Sequence, residues 1–394
     1  MLDINIKRHK ILFQEKLILL SILLTPILGL YELSELLNLN ISNFLPGLKL
    51  LKTSKDFFIL LIILTGIIFS FWKFLKMSSV LYLFSIIAIF ISFFISIFSV
   101  PLEAIISGIR WISPFVLFLF LGKLRLPFYQ KLTSWLEIII TFGLILQFYQ
   151  LFNMNGIYGI SISGYSMRNP GYYLSPSSMS AFSMTTLFFI HNFENNERKR
   201  LIYLIIVILS VFLTASGSGI LSLFLYVLYI IFKKQNTYFF ILTLVILLLF
   251  FIGFLPLITG REDIFDSPLG RIDILLQNIS LNNIFFSSNF GIATNTFINL
   301  RPDLLDSQVA IISDSMINSS IINSGLLFLL ILIHIIFFKP IYKYGKIGLL
   351  FLFINLPFFL STVIFELYPV NILLFIELIS LPLIIHHNRI KNNV

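Results

Sequence analysis

Uncharged apolar stretches close to 20 residues long recur along the whole chain, and they decide what it can fold into. Residues 238–258, for example, pass without one charged side chain. A helix needs roughly 20 consecutive, mostly apolar residues to cross the hydrocarbon core of a bilayer. Segments 17–37, 57–72, 79–100, 102–122, 134–152, 177–191, 200–215, 219–232, 238–258, 314–338, 347–365 and 368–385 meet or approach that requirement. Charged residues make up 11% of the chain, against about 25% in a soluble domain. A soluble enzyme, a nucleic-acid-binding module and a disordered chain are thereby excluded. The expectation is an all-α polytopic membrane protein with about 12 transmembrane helices, formed as a single membrane domain over residues 1–394.

The net charge of +9 would point a soluble protein towards nucleic acid, so the placement of the charge matters. Lys and Arg concentrate in the cytoplasmic loops of membrane proteins. With the N-terminus inside, nineteen of the 27 basic residues fall in cytoplasmic segments. Seven fall outside: Lys49, Lys52, Lys55, Arg168, Arg261, Arg271 and Arg301. The last, Arg110, lies within a span. This asymmetry predicts twelve spans with N- and C-termini cytoplasmic, and it turns the positive charge into an orientation signal. The three lysines of 38–56 run against the pattern. Cysteine is absent, which removes disulfides, thiolate nucleophiles and Cys metal sites. The first span lacks the small-residue cleavage site of a signal peptide.

Two predicted outer loops are long: 153–177, and 259–313 between helices 9 and 10. Long loops of this kind often carry function. The first contains Arg168-Asn169-Pro170-Gly171-Tyr172-Tyr173, then Ser175-Pro176, a cap-plus-proline pair that starts a helix. Its tyrosines suit an interfacial aromatic belt, and Tyr172 is also placed to stack on a sugar ring. In the second loop, Ser267-Pro268 and the apolar residues Ile272, Leu275, Leu276 and Ile279 predict an amphipathic helix over 268–280. Arg261 and Arg271 flank its start. The span that follows opens with Asp314, Ser315, Asn318, Ser319 and Asn323. A segment this polar does not face lipid. It either lines a wet cavity, which the Asp314 and Asn318 pair at i, i+4 favours, or packs closely against other helices through Ser and Gly.

Arg110 enters from the outer side about eight residues into its span, roughly 12 Å deep at about 1.5 Å per residue. Its alternatives are a functional charge or a structural pair with Glu103, seven residues earlier on the same face. Pro114 removes the helical hydrogen bond to the Arg110 carbonyl. The five histidines, His9, His191, His334, His386 and His387, all fall towards the cytoplasmic side. Outer-face chemistry must therefore rest on Arg and carboxylates; no His-rich metal site is expected there, and carboxylate-only Mg or Ca binding, which nothing in the sequence supports, is the alternative left open. The turn Thr214-Ala215-Ser216-Gly217-Ser218-Gly219 is either a tight hairpin or a set of backbone donors suited to phosphate.

In this order, these features resemble the O-antigen polymerase and O-antigen ligase superfamily, over about residues 150–340. The residues that carry the resemblance are Arg168, Asn169, Pro170 and Gly171 with Ser175, Pro176 and Ala181. They continue with Thr214, Ser216, Gly217 and Ser218, then Arg271 and Asn289-Phe290-Gly291 in the large loop. Asp314, Ser315, Gly325 and Leu326 complete the set. Ligases of the superfamily carry a His where this chain has Ser313-Asp314-Ser315, which favours a polymerase. The Ser-Arg of many members is Ser216-Gly217 here, so no Arg carries over to that turn.

The resemblance implies a glycosyltransferase that polymerises undecaprenyl-diphosphate-linked oligosaccharide repeat units on the outer face of the bacterial inner membrane. It implies Arg168, Arg261, Arg271 and the deeper Arg110 as holders of the diphosphate, with Arg271 and Asp314 acting in the chemistry and Asp314 as the base. Asn318 and Tyr172 join the substrate-binding set. The lipid supplies activation, so no cofactor is expected. The implied partners are the lipid-linked glycan, membrane lipid and a chain-length regulator protein, with no nucleic acid. The alternatives are a ligase-like transfer of glycan to another acceptor, a twelve-span secondary transporter, or a non-catalytic scaffold for glycan assembly. Against the transporter, no two-half internal symmetry is evident.

Overall fold

The computed structural model describes residues 2–36, 56–67, 80–121, 123–153, 168–173, 175–232, 285–301 and 315–392, with Asp273, Leu276 and Asp303 in addition. Among these residues there are helices and turns and no strand. The helices are α1 (Leu2–Leu23), α2 (Thr25–Leu36), α3 (Asp56–Ile67), α4 (Val80–Ser96), α5 (Leu102–Phe120), α6 (Leu126–Asn153), α7 (Pro176–Phe193), α8 (Glu197–Thr214) and α9 (Gly217–Phe232). After them come the short α10 (Asn295–Leu300), then α11 (Met316–Ser324), α12 (Leu326–Tyr344), α13 (Lys346–Ser361) and α14 (Val370–Asn392). Among the described residues, five stretches are long and apolar enough to cross a membrane: Ile11–Tyr31, Leu102–Phe120, Leu126–Phe152, Leu326–Tyr344 and Val370–His387. The described residues of the other expected spans are mostly helical, and 238–258 lies outside the described residues.

The core is largely apolar, small polar residues are buried within it, and large apolar side chains also cover the outer faces, unlike the polar exterior of a water-soluble bundle. On α4, Ser85, Ala88, Ser92 and Ser96 are buried at helical spacing, while Phe84, Phe90 and Phe94 are exposed. On α8, Ser210 and Thr214 are buried with Val207 and Val211, and Leu201, Ile202, Ile205, Leu209 and Phe212 point out. Lipid tails are as apolar as leucine, so they reward no burial of leucine. Helices in lipid associate instead through close packing and hydrogen bonds among small polar residues. The central helix α7 takes this furthest. Ser178, Ser180, Ser183, Thr185 and Thr186 are all buried, and α6, α8, α9, α13 and α14 pack around it. The result is a helical membrane protein.

Local sequence sets the helix boundaries and interruptions. Helix α7 begins at Pro176 behind Ser175, as the cap-plus-proline pair predicts. The Ser175 hydroxyl bonds the Ser177 hydroxyl at 2.7 Å and caps no backbone N–H. Helix α5 runs unbroken through Pro114 because the Ser113 hydroxyl donates to the freed Arg110 carbonyl at 2.7 Å. The expected span 314–338 is instead two helices. They part at Gly325, whose φ of +87° favours glycine, and where a Cβ would lie 2.3 Å from the Phe285 carbonyl oxygen. The polar half, α11, is thereby turned away from the apolar α12.

One end of the bundle holds basic side chains with acidic partners. Arg125 forks onto Glu15, and Lys199 lies between Glu137 and Glu194. The opposite end carries the polar features described next.

Candidate functional site

Two segments plug this second end, the first without helix and the second ending in the short α10. Residues 168–173 fold back among α6, α7 and α8, with Asn169, Pro170, Gly171, Tyr172 and Tyr173 all buried. Backbone at such depth needs partners for every N–H and C=O. Gln147 donates to the Asn169 carbonyl at 2.9 Å, and Asn169 N–H donates to the Leu213 carbonyl at 3.0 Å. The Gln150 amide both donates to the Gly171 carbonyl and accepts from the Gly171 N–H.

Residues 285–301 form the second plug, and serines serve it in the same way. Ser96 accepts from Phe290 N–H at 2.9 Å, and Ser92 accepts from Ser287 N–H at 3.1 Å. Ser99 donates to the Ser288 carbonyl at 2.7 Å. From α11, Asn323 accepts from the N–H groups of Gly291 and Ala293 at 3.1 and 3.0 Å. Its amide nitrogen donates to the Ala293 carbonyl at 3.2 Å, and the Ser319 hydroxyl donates to the same oxygen at 2.9 Å. Gly291, at φ +89°, lies so close to α5 that a Cβ would sit 1.7 Å from the Ala104 carbonyl oxygen. The polar row Ser319–Asn323 therefore clamps a loop through its backbone, where a wet cavity was expected.

The second plug carries Thr294, whose hydroxyl accepts from Phe297 N–H and caps α10. It thereby presents the first turn of α10 to Glu366, in the turn between α13 and α14. The Glu366 carboxylate accepts from Asn295 N–H at 2.9 Å, Thr296 N–H at 3.1 Å and the Thr296 hydroxyl at 3.1 Å. Burial pushes its pKa up, and these three donors and the charge of Arg110 pull against that. Beside it, Arg110 Nε meets Asp56 Oδ1 at 3.2 Å, both side chains about two-fifths exposed.

These groups line a cleft with about 330 Å³ of open space including its mouth. Asp56, Arg110, Trp111, Ser113, Thr296, Phe365, Glu366, Tyr368 and Asn371 surround it. The Trp111 indole N–H is buried and has no hydrogen-bond partner. Ligand sites have this make-up: aromatic walls with a few placed polar groups.

The structure places the sequence candidates as follows. Arg110 lines the cleft, and its partner is Asp56. Glu103 is taken instead by Arg301, at 3.4 Å. Two helical turns separate Arg110 from Glu103, which puts their Cα atoms about 10.5 Å apart. Arg168 donates to the Ala215 carbonyl at 3.5 Å. Ala215 is left-handed at φ 46°, so the 168–173 segment and the Thr214–Gly219 turn adjoin. Tyr172 is fully buried, its ring against Tyr173 and Phe182. That position is neither an interfacial belt nor a surface open to a sugar. Asn318 is buried in α11, its backbone N–H donating to the Ser315 hydroxyl at 3.2 Å. Arg261, Arg271 and Asp314 lie outside the described residues, as does the 268–280 helix apart from Asp273 and Leu276, both helical.

Sequence reasoning missed Asp56, Trp111, Tyr368, Asn371 and Thr296. One signal was available: an arginine inside a span requires an anion, and here the anion, Asp56, comes from a different helix. Among the described residues, no group of three or more His, Asp or Glu is arranged to hold a metal. The chain matches no protein-family model, and no curated protein is significantly similar to it.

Proposed function

We propose that this protein is a glycosyltransferase that polymerises undecaprenyl-diphosphate-linked oligosaccharide repeat units on the outer face of the bacterial inner membrane. It would do so on twelve spans with both termini cytoplasmic. The observation that carries the reading is the polar cleft and its two plugs at one end of a bundle whose flanks are apolar. The bias of basic residues assigns the other end to the cytoplasm, so the cleft end meets substrate outside.

In the proposed step an acceptor sugar hydroxyl attacks the anomeric carbon of the lipid-linked donor. The carbon–oxygen bond to the diphosphate breaks, the diphosphate leaves with its electron pair, and a carboxylate takes the hydroxyl proton. Arginine forks suit a diphosphate because their charge-assisted hydrogen bonds strengthen as charge develops on the leaving group. Arg168, with Arg261 and Arg271, holds that role, and Asp314 is the base. A chain-length regulator protein is the proposed partner.

The test is polymer formation by purified protein supplied with lipid-linked repeat unit. A ladder of products is expected, shortened or lost in Arg168→Ala and Arg271→Ala at equal protein level. Absence of polymer from the wild type, or full-length ladders from both variants, overturns the reading.

A further inference from the structure

A basic hairpin lies at the end of the bundle opposite the two plugs. Helix α12 starts beside the second plug, and its far end turns into α13 through Lys339, Lys343 and Lys346. The elements around this hairpin are almost free of acid. Residues 315–365, which cover α11, α12 and α13, contain no Asp or Glu, and neither do residues 57–102, which cover α4. Helix α14 packs against 339–344, and its last turns carry His386 and His387. Its one acid, Glu377, is buried and accepts from the Asn355 amide at 2.8 Å. The glutamates described at the same end of the bundle already have cations. Glu15 has Arg125, Glu137 and Glu194 share Lys199, and Glu197 has Arg200.

An orientation signal needs charge alone, but this hairpin also has a fixed geometry. Lys339 Nζ donates to the Tyr82 hydroxyl of α4 at 2.8 Å and lies 4.6 Å from the centre of that ring. A neutral tyrosine orders the ammonium group without cancelling its charge. Lys343, exposed and one turn further on, lies 5.6 Å from the Tyr344 ring centre. Side chains four apart on a helix are neighbours, with Cβ atoms about 5–6 Å apart, and like charges at that spacing repel. An anion between them removes the repulsion. On the outside of the same turns, Tyr342 is 94% exposed and Phe338 63% exposed. Rings left this open suit the headgroup layer, where tyrosine is enriched, and lysine stems reach the same depth by snorkelling. A π turn over His334–Phe338 leads into Lys339, and such turns recur at functional sites.

We propose that Lys339 and Lys343, with Tyr82 behind them and Lys346 beside them, form a docking site for the headgroup of an anionic phospholipid of the phosphatidylglycerol type. Its phosphodiester offers acceptor oxygens to both ammonium groups. Its acyl chains follow the exposed apolar side chains Phe338 of α12 and Leu81 and Phe84 of α4. Basic pockets between membrane helices recognise such headgroups. The site is independent of the polymerisation reaction.

The experiment is native mass spectrometry of the full chain released from detergent micelles. The probes are phosphatidylglycerol, phosphatidylethanolamine with the same acyl chains, and soluble glycerol 3-phosphate as a competitor. The first phosphatidylglycerol is expected to bind about tenfold tighter than phosphatidylethanolamine. The double variant Lys339→Gln/Lys343→Gln should weaken it by about tenfold or more. Tyr82→Phe, which keeps the ring and removes the acceptor that orders Lys339, should weaken it by about threefold or more. Lys131→Gln/Arg198→Gln removes two exposed charges from the same end of the bundle and should weaken it by less than about twofold.

Equal affinity for the two lipids overturns the proposal. So does an equal loss in Lys131→Gln/Arg198→Gln, because the charge of the whole end would then carry the binding. Displacement of the lipid by glycerol 3-phosphate assigns the patch to a soluble phosphate and overturns lipid docking. If Lys339→Gln/Lys343→Gln does not elute as monodisperse protein, Lys343→Gln alone decides, with a loss of about threefold or more expected and a smaller one overturning the site.

Discussion

Replacing Asn323 by leucine tests whether the polar face of α11 is a clamp or the wall of a wet cavity. The side chain is fully buried and makes four hydrogen bonds, from Gly291 N–H, from Ala293 N–H, to the Ala293 carbonyl and to the Ser319 hydroxyl. Leucine fills similar space and supplies none of them. The Ala293 carbonyl keeps its bond from Ser319 at 2.9 Å, so the loss falls on two buried backbone N–H groups. An orphaned buried donor costs about 1–3 kcal/mol, which gives about 2–6 kcal/mol for the pair. An independent figure, about 0.6 kcal/mol per hydrogen bond inside membrane proteins, gives about 2.4 kcal/mol for four bonds. The lower bounds agree. Since about 1.4 kcal/mol is a factor of ten, opening of 287–294 should become at least about thirtyfold easier. Hydrogen–deuterium exchange in nanodiscs reads this directly at the Gly291 and Ala293 amides. Unchanged protection there refutes the clamp, because water in a real cavity would already serve those amides.

Other outcomes follow from single contacts. Gly291→Ala should abolish a monodisperse peak in detergent size exclusion, because its Cβ would sit 1.7 Å from the Ala104 carbonyl oxygen. Gly345→Ala has open space and should cost only backbone strain, about 1–3 kcal/mol. Glu194 and Glu366 should respond to pH with opposite sign. For Glu194, burial is outweighed by hydrogen bonds from Asn196 N–H and Lys199, which hold its pKa below the usual 4.5. Its contribution to stability is present above pH 4.5 and lost as pH falls through the lowered folded value. Glu194→Gln should therefore lower thermal stability at pH 7 and converge with the wild type in acid. Glu366 is raised above 4.5 by burial. Its titration favours the fold below 4.5, and that share is lost as pH rises through the raised folded value. A wild-type minus Glu366→Gln stability difference that instead grows across that rise would contradict the assignment.

Much of the fold was legible because lipid imposes a short menu. Apolar runs had to be helices, and the Ser175-Pro176 start and the passage through Pro114 followed from local backbone chemistry. Gly325 was visible in the sequence, yet its break was not. The break depends on the Phe285 carbonyl pressing from 40 positions away. The same limit hid the site. Tyr172 looked like an interfacial or sugar-stacking residue, and nothing local shows that Gln147 and Gln150 draw its segment into the core. Arg110 stands out by its depth, but nothing local shows that its partner is Asp56, at the start of a different helix.

The cleft and residues 285–301 form one mechanical unit, and this explains why so much polarity is spent on packing. Asn323 and the α4 serines fix 287–293, and that strip positions Thr294 to cap α10. The first turn of α10 then meets Glu366, whose turn leads directly to Tyr368 and Asn371 in the cleft wall. A change at Asn323 should therefore loosen the first turn of α10 without touching it. Glu366→Gln should loosen the same turn, since an amide cannot accept at both positions from the three α10 donors. A helix cap is worth about 0.5–2 kcal/mol, so the Asn295 and Thr296 amides should exchange about two- to thirtyfold faster where the two are fully coupled. If Asn323→Leu frees Gly291 and Ala293 to exchange while the Asn295 and Thr296 amides stay as protected as in the wild type, the chain of contacts from Asn323 to Asn371 carries no energy.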